Sequence, residues 1–328
     1  MQFSEVETTY HLFHKQYGYK DPIQFYKDVR KDYYNWKTTG EQPRFFFLKN
    51  INIRSLLLEG CWYECQCPYY KVWPGVFDTF IKTRIDIKAE LLKFPHSSFA
   101  IRLPKMAEPL LTFDNLNNKM SSIDSIIVNG GEINENFVSI DMRAIYSHES
   151  FPYPGHFHKI VSIPFDNTIE EVVSIQGFTY ETKNGEQYHV PKSIVDACVR
   201  LTIATIFLAT GSHKVLEFDV LAKHLNAYRE MRGTNEKKEK EYENKAKEKG
   251  KFGWNIGSGR GDRGLKLPNG VSYSKACQQA GGRELLYQHV RGGHWHTVRY
   301  GEGRKDVKVI WFEETTVRKD LPPRPIEV

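Results

Sequence analysis

Apolar residues recur at helical spacing near the start of the chain. In "DPIQFYKDVRKDYYNW", Ile23, Tyr26, Val29, Tyr33 and Trp36 fall on one face, behind a capping Asp21 and a Pro22 at the first helical position. "VFDTFIKTRIDIKAELLKF" repeats the spacing with Val76, Phe80, Ile81, Ile87 and Leu91, so residues 1–95 read as a mainly helical region. The texture then changes. "SFAIRLP", "SIDSIIVNGG", "FVSIDMRAIY" and "HFHKIVSIPF" alternate apolar and polar positions over short runs. Asn129-Gly130-Gly131 is the strongest turn signal between them. This pattern predicts an antiparallel meander, strongly twisted or barrel-like.

Helices return after the meander. "TIEEVVSIQGF" opens with Thr168 and Glu171 at capping-box spacing. "PKSIVDACVRLTIATIFLATG" is apolar on most faces, begins at Pro191 and ends on Gly211. Asp196 and Arg200 interrupt it, so it reads as a buried helix rather than a membrane span. The stretch 229–251 is densely charged with almost no apolar face, and glycines crowd the residues after it. A solvated helix or a mobile linker is expected at 229–251, with a basic arm for RNA as the functional reading; 229–270 is taken as a charged arm or linker, with 234–264 its most mobile part. "GSGRG" at 257–261 lacks the Lys-Ser/Thr of a phosphate-binding loop.

The last region is different in kind. "HWHTVRY" and "DVKVIWFEETTV" both alternate, and "GEGRKD" between them can reverse the chain, which predicts a β-hairpin. Gly292-Gly293 permits a sharp bend before it. His294, His296, Val298 and Tyr300 share one face of the first strand, opposite Trp295, Thr297 and Arg299. Arg291, Arg304, Lys305 and Lys308 add charge, and Trp311 closes the second strand. Basic and aromatic side chains interleaved on a hairpin can stack on bases or hold a peptide. The partner-binding residues are therefore taken as Arg291, His294, Trp295, His296, Arg299, Tyr300, Arg304, Lys305, Lys308 and Trp311, with one tryptophan expected in the core.

The regions thus read as 1–95 helical, 96–228 an α+β unit with meander and buried helix, 229–270 a charged arm, and 271–328 a hairpin domain. The class is α+β. Composition changes this little. Aromatics reach 13% of 328 residues, which argues for a folded chain, and the net charge of +6 permits contact with nucleic acid without demonstrating it. The N-terminus lacks the basic start and apolar run of a signal peptide, and five cysteines fit reduced thiols in a cytoplasm.

Two clusters raise metal chemistry. Cys61, Cys65 and Cys67 supply three soft ligands, one short of the usual structural zinc set. "GHFH" and "GHWH" place His156, His158, His294 and His296 in two His-x-His pairs, each pointing one way on a strand. Four imidazoles could hold a metal whose water hydrolyses RNA. Neither motif contains a carboxylate to act as base, so the pairs read as structural or RNA-contacting histidines. The expectation is no bound metal and no cofactor, with enzymatic activity left open, a metal-dependent nuclease as the alternative and a plain nucleic-acid-binding regulator as a third class.

"HVRGGHWH", "GEGRK", "VIW" and the closing "ETTVRK" resemble the C-terminal signature of a phage- and plasmid-borne anti-CRISPR family, the second named family directed at type V-A systems. The apolar helix "IVDACVRLTIATIFLATGSHKV" and the Gly-Gly stretch "ACQQAGGRELLY" resemble its other segments, so the likeness runs from about 160 to 318. Gly292 stands where the family's pattern has a basic residue, and "CWYECQC" has no counterpart there. The resemblance implies an inhibitor that lowers production of the effector nuclease. It would recognise the effector's nascent N-terminal peptide during translation, near ribosome or mRNA and away from membranes, and cause loss of the message.

Overall fold

A computed structural model describes residues 16–45, 53–73, 76–77, 80–81, 83–104, 112–114, 120–133, 136–147, 155–173, 178–181, 187–211, 216–256, 289–291, 294–300, 303, 306–312 and 315–317. The architecture is three layers around one mixed sheet. The first helix, α1 (Pro22–Thr39), starts where the sequence sets it: the Asp21 carboxylate accepts from the Ile23 N–H at 3.0 Å, and Gly40 closes the far end with φ 76°. The second, α2 (Ile53–Glu64), ends in a turn that holds Gln66 and Cys67 in the left-handed region, with φ of 66° and 55°.

The sheet is built from β1 (Tyr69–Val72), β2 (Ser98–Arg102), β3 (Thr112–Asp114), β4 (Met120–Ile133), β5 (Phe137–Ser147), β6 (Gly155–Pro164), β9 (Leu216–Phe218) and β10 (Gly253–Ile256). Its order is β6-β5-β4-β2-β1-β10-β9, with β3 on β4. The α+β class and the antiparallel β4-β5-β6 meander stand as expected. Two features correct the reading. Among the described residues the sheet is open, ending at β6 and β9, rather than barrel-like. Its middle is parallel, because β1 pairs in parallel with both β2 and β10.

The turn read over "NGGEINEN", 129–136, contains the reversal between Ile133 and Phe137, but its strongest signal, Asn129-Gly130-Gly131, lies inside β4. Gly130 is needed there for close approach. Its N–H donates to the Ser97 carbonyl at 2.7 Å, and a Cβ would sit 2.8 Å from Cγ of Phe94. The register shift between Gly130 and Ile133 absorbs the irregularity as a bulge.

Residues 83–91 are also corrected. Helical turns occur at 76–77 and 80–81, but 84–87 is not helical and only a 3-10 turn, Ala89–Leu91, follows. The cause is tertiary. The helix α3 (Ile169–Val173) has its capping box, with Thr168 N–H on the Glu171 carboxylate at 2.7 Å. The next two N–H groups of its first turn donate to this segment instead, Ile169 to the Ile87 carbonyl and Glu170 to that of Ile85. Apolar spacing at Ile85 and Ile87 thus serves an extended run that caps another helix.

Alternation along the strands makes two cores. Phe99, Ile101, Ile126, Val128, Ile140, Met142 and Ala144 face α4 (Lys192–Gly211), whose Leu201, Ile203, Ala204, Phe207 and Leu208 are buried with them. Ala100, Ile127 and Ile145 face the opposite way, onto Phe25, Tyr26, Val29, Leu56 and Trp62 of α1 and α2. The helix α4 has the length and apolarity of a membrane span, but it is packed as the central core helix.

The described part of the charged region, 229–256, holds helix and strand. A short helix α5 (Leu225–Met231) and then α6 (Glu236–Glu248) pack on the sheet's end through Phe218, Val220, Tyr228 and Ala246. Asn235 caps α6 by accepting from the Lys238 N–H. The following Gly-rich residues form β10, between β1 and β9. The sheet therefore draws on residues from the first three of the four regions read from the sequence. The "GSGRG" run, Gly292-Gly293 and the 271–288 stretch lie outside the described residues. A β7 (Phe178–Glu181) and β8 (Gln187–Val190) pair forms a separate small sheet.

Candidate partner-binding hairpin

The C-terminal strands are β11 (His289–Arg291), β12 (His294–Tyr300), β13 (Asp306–Phe312) and β14 (Thr315–Val317). The hairpin predicted from alternation is present: β12 and β13 pair antiparallel from His294↔Phe312 to Tyr300↔Asp306. β11 and β14 pair outside them, at the foot of the hairpin.

Register decides which side chains meet. Trp295↔Trp311, Thr297↔Val309 and Arg299↔Val307 form one face, and His296↔Ile310 and Val298↔Lys308 the other. The first face seats on the core. The two indoles meet edge to face at 5.0 Å between centroids. Phe207 of α4 approaches Trp295 at 5.5 Å, and Phe80 contacts both indoles, Trp295 at 6.4 Å and Trp311 at 5.8 Å. Trp295 is only 9% exposed and Val309 is buried beside it. The indole N–H of Trp295 is buried there and finds no hydrogen-bond acceptor among the described residues.

Anchoring therefore happens near the foot of the hairpin, and exposure increases away from it. His296, Thr297 and Arg299 are exposed, Val298 and Ile310 half-buried, and Gly303 beyond them exposed. His296 Nδ1 lies 3.0 Å from the Thr297 carbonyl oxygen, an arrangement in which the ring nitrogen donates. Of the residues picked from the sequence, Trp295 is corrected to a core position, Trp311 is partly buried against it, and His296 and Arg299 stay at the surface. Arg291, His294, Tyr300 and Lys308 have described backbone positions only. Arg304 and Lys305 lie outside the described residues.

The alternation showed which residues share a face but not which face is inner. Phe80 and Phe207, which make that decision, were read only as members of apolar stripes. Glu59 and Arg143, buried together beside Tyr26, gave no signal, since each looks like an ordinary residue of its element.

Of the four histidines of the metal alternative, only His296 has a described side chain. Among the described residues, no three His, Cys, Asp or Glu side chains gather as a metal site. His156 and His158 fall on β6, the end strand of the main sheet, whereas His294 and His296 fall on β12 of a separate sheet. Cys61, Cys65 and Cys67 are free thiols. The Arg30 guanidinium donates to Cys61 Sγ at 3.8 Å, and Cys65 Sγ lies 3.0 Å from the Ser97 hydroxyl. Burial raises the Cys61 thiol above its ordinary value and Cys67 well above it. Cys61 and Cys67 are thus protonated thiols packed at a helix end.

The chain is also similar to known proteins. The model of the AcrVA2-like family, described as the anti-CRISPR type V subtype A2 family, matches residues 70–319. A solved structure described as the crystal structure of AcrVA2 resembles it with 13% sequence identity and a TM-score of 0.45, over 94% of this chain and 91% of that one. No curated protein matches.

Proposed function

The chain belongs to the anti-CRISPR type V subtype A2 family, and from that premise we propose that it binds the N-terminal segment of a type V-A effector nuclease during translation and lowers the effector's message. The hairpin β12–β13 is the surface for the nascent peptide. The observation that carries this reading is the division along the hairpin. Trp295, Trp311 and Val309 fix its foot to α4, so the exposed His296, Thr297 and Arg299 are presented on a braced ribbon. A ribbon held at one end supports an extended peptide without first paying the ordering entropy of a free loop.

The protein then acts by recognition in the cytoplasm of a bacterial host, without cofactor, and the ribosome or mRNA is a neighbour rather than a substrate. Arg299 and Lys308 supply charge on opposite faces of the ribbon. The test is the double reversal Arg299→Glu with Lys308→Glu, checked for folding by circular dichroism. Capture of stalled ribosomes bearing the effector's N-terminal segment, and effector-message level in cells, are then measured. Capture is expected to fall to background, and the message to rise toward its level without inhibitor. Wild-type capture and wild-type message loss by a folded double variant would reduce the hairpin to scaffold.

A further inference from the structure

The outward face of α1 carries a second surface. Lys27, Lys31, Tyr34 and Thr38 follow one another at helical spacing (i, i+4, i+7, i+11) and are all exposed. Tyr34 is 54% exposed and, with Trp73, is one of two exposed large apolar side chains among the described residues. Its ring is braced rather than loose. Tyr33 meets it edge to face at 5.7 Å, and Trp36 braces Tyr33 in turn at 6.1 Å. The Lys37 ammonium lies 4.3 Å from the Trp36 ring centroid and 5.7 Å from that of Tyr33.

The helix's carboxylates are committed elsewhere. Asp28 accepts from the Tyr19 hydroxyl and from Gln24, each at 2.7 Å. Asp32 accepts from the Arg44 and Phe45 N–H groups at 3.1 and 2.9 Å, turned toward the loop after the helix. Asp21 is occupied at the N-cap. Lys27 and Lys31 have no ion pair among the described residues, and they stand about 6 Å apart along the axis. The stripe therefore presents cations in a row leading to a held aromatic ring, with Asp28 and Asp32 set to one side of it.

We propose that this face of α1 binds single-stranded nucleic acid, with Lys27 and Lys31 on successive phosphates and Tyr34 stacked on a base. Charge complementarity selects an anionic partner, and the exposed ring selects one with unpaired flat groups, which a duplex does not offer. The helix lies outside the residues 70–319 that match the family. The inference is thus independent of the nascent-peptide reading, and the hairpin variant above leaves it untouched.

Full-length protein is titrated by fluorescence anisotropy into a labelled oligouridine, an oligodeoxythymidine of equal length and a hairpin duplex, over a range of salt. Wild type is expected to prefer either single strand to the duplex. Equal affinity for the two single strands, or preference for RNA, supports the assignment, and preference for the duplex overturns it. Lys27→Glu with Lys31→Glu should remove at least about tenfold of the affinity and flatten the salt slope by about two ions. Tyr34→Ala should lower affinity by about tenfold or more with the salt slope intact. All three positions are exposed, so thermal melts should match wild type. If both variants bind as wild type does, or if a labelled oligoglutamate competes as well as oligouridine, the face binds no nucleic acid and the assignment fails.

Discussion

Arg143 on β5 and Glu59 on α2 meet at 2.5 Å with both side chains wholly buried. The Tyr26 hydroxyl of α1 donates to the other Glu59 oxygen, so three elements converge on one carboxylate. Burial, and then the Glu59 charge, push the Tyr26 hydroxyl well above its ordinary pKa, so it stays a donor. This cluster stitches the α1–α2 layer to the sheet. Arg143→Leu would strand a buried carboxylate, and a loss of about 3–5 kcal/mol is expected in urea unfolding. The double variant Arg143→Leu with Glu59→Leu should lose less than that single change, since the uncompensated charge is gone.

Trp295 should behave as a core residue. Trp295→Ala is expected to cost about 3–5 kcal/mol, because it empties the seat between Phe80, Phe207 and Trp311. Trp295→Phe should cost much less, because the indole N–H it removes has no acceptor among the described residues. Equal losses for the two variants, read from unfolding midpoints, would contradict this account of the seat.

Gly253 is fixed by a ring. A Cβ there would stand 2.3 Å from the Tyr69 side chain, whose hydroxyl is tied to Asp219 at 2.6 Å and cannot swing away. Gly253→Ala should therefore destabilise by at least about 1–3 kcal/mol, although the change is one methyl group. Tyr69→Phe with Gly253→Ala should recover part of that loss by freeing the ring.

Acid should weaken the fold through two ion pairs. Burial raises the Glu170 and Asp219 carboxyls, but the bonds they accept outweigh it. Arg200 and the Ile85 N–H hold Glu170, and Lys71, Tyr69 and Lys251 hold Asp219, so both end below the usual carboxylate range. A carboxyl lowered in the folded state contributes fully above its unfolded value, near pH 4, and loses that contribution as pH falls through the folded value. Asp196 and Glu243 are raised by burial and act with the opposite sign. The clean measurement is thus a comparison: Asp219→Asn should be less stable than wild type at neutral pH, with the gap closing below about pH 4.

Much of this fold was legible where the signal is local. Asp21-Pro22, the Thr168–Glu171 capping box and the alternation of β4, β5, β6, β12 and β13 each predict the element found. Four-residue strands gave less. Tyr69–Val72 sits in an aromatic run and Gly253–Ile256 in a Gly-rich one, and they become strands because they pair with each other. Residues 84–87 look helical by spacing and are claimed by α3. The candidate site was legible to the same degree: the hairpin and its register follow from period two, whereas the inward turn of Trp295 depends on Phe80 and Phe207, distant in sequence.

The seat of β1 between β2 and β10 also sets an order of assembly. Tyr69–Val72 can pair with Ser98–Arg102 soon after both are made, but its other edge stays open until Gly253–Ile256 has been synthesised. Parallel pairing across so much intervening chain is slow, and an open aromatic strand edge is prone to join other chains meanwhile. A protein built this way leaves its sheet unfinished until β10 has been made, long after β2.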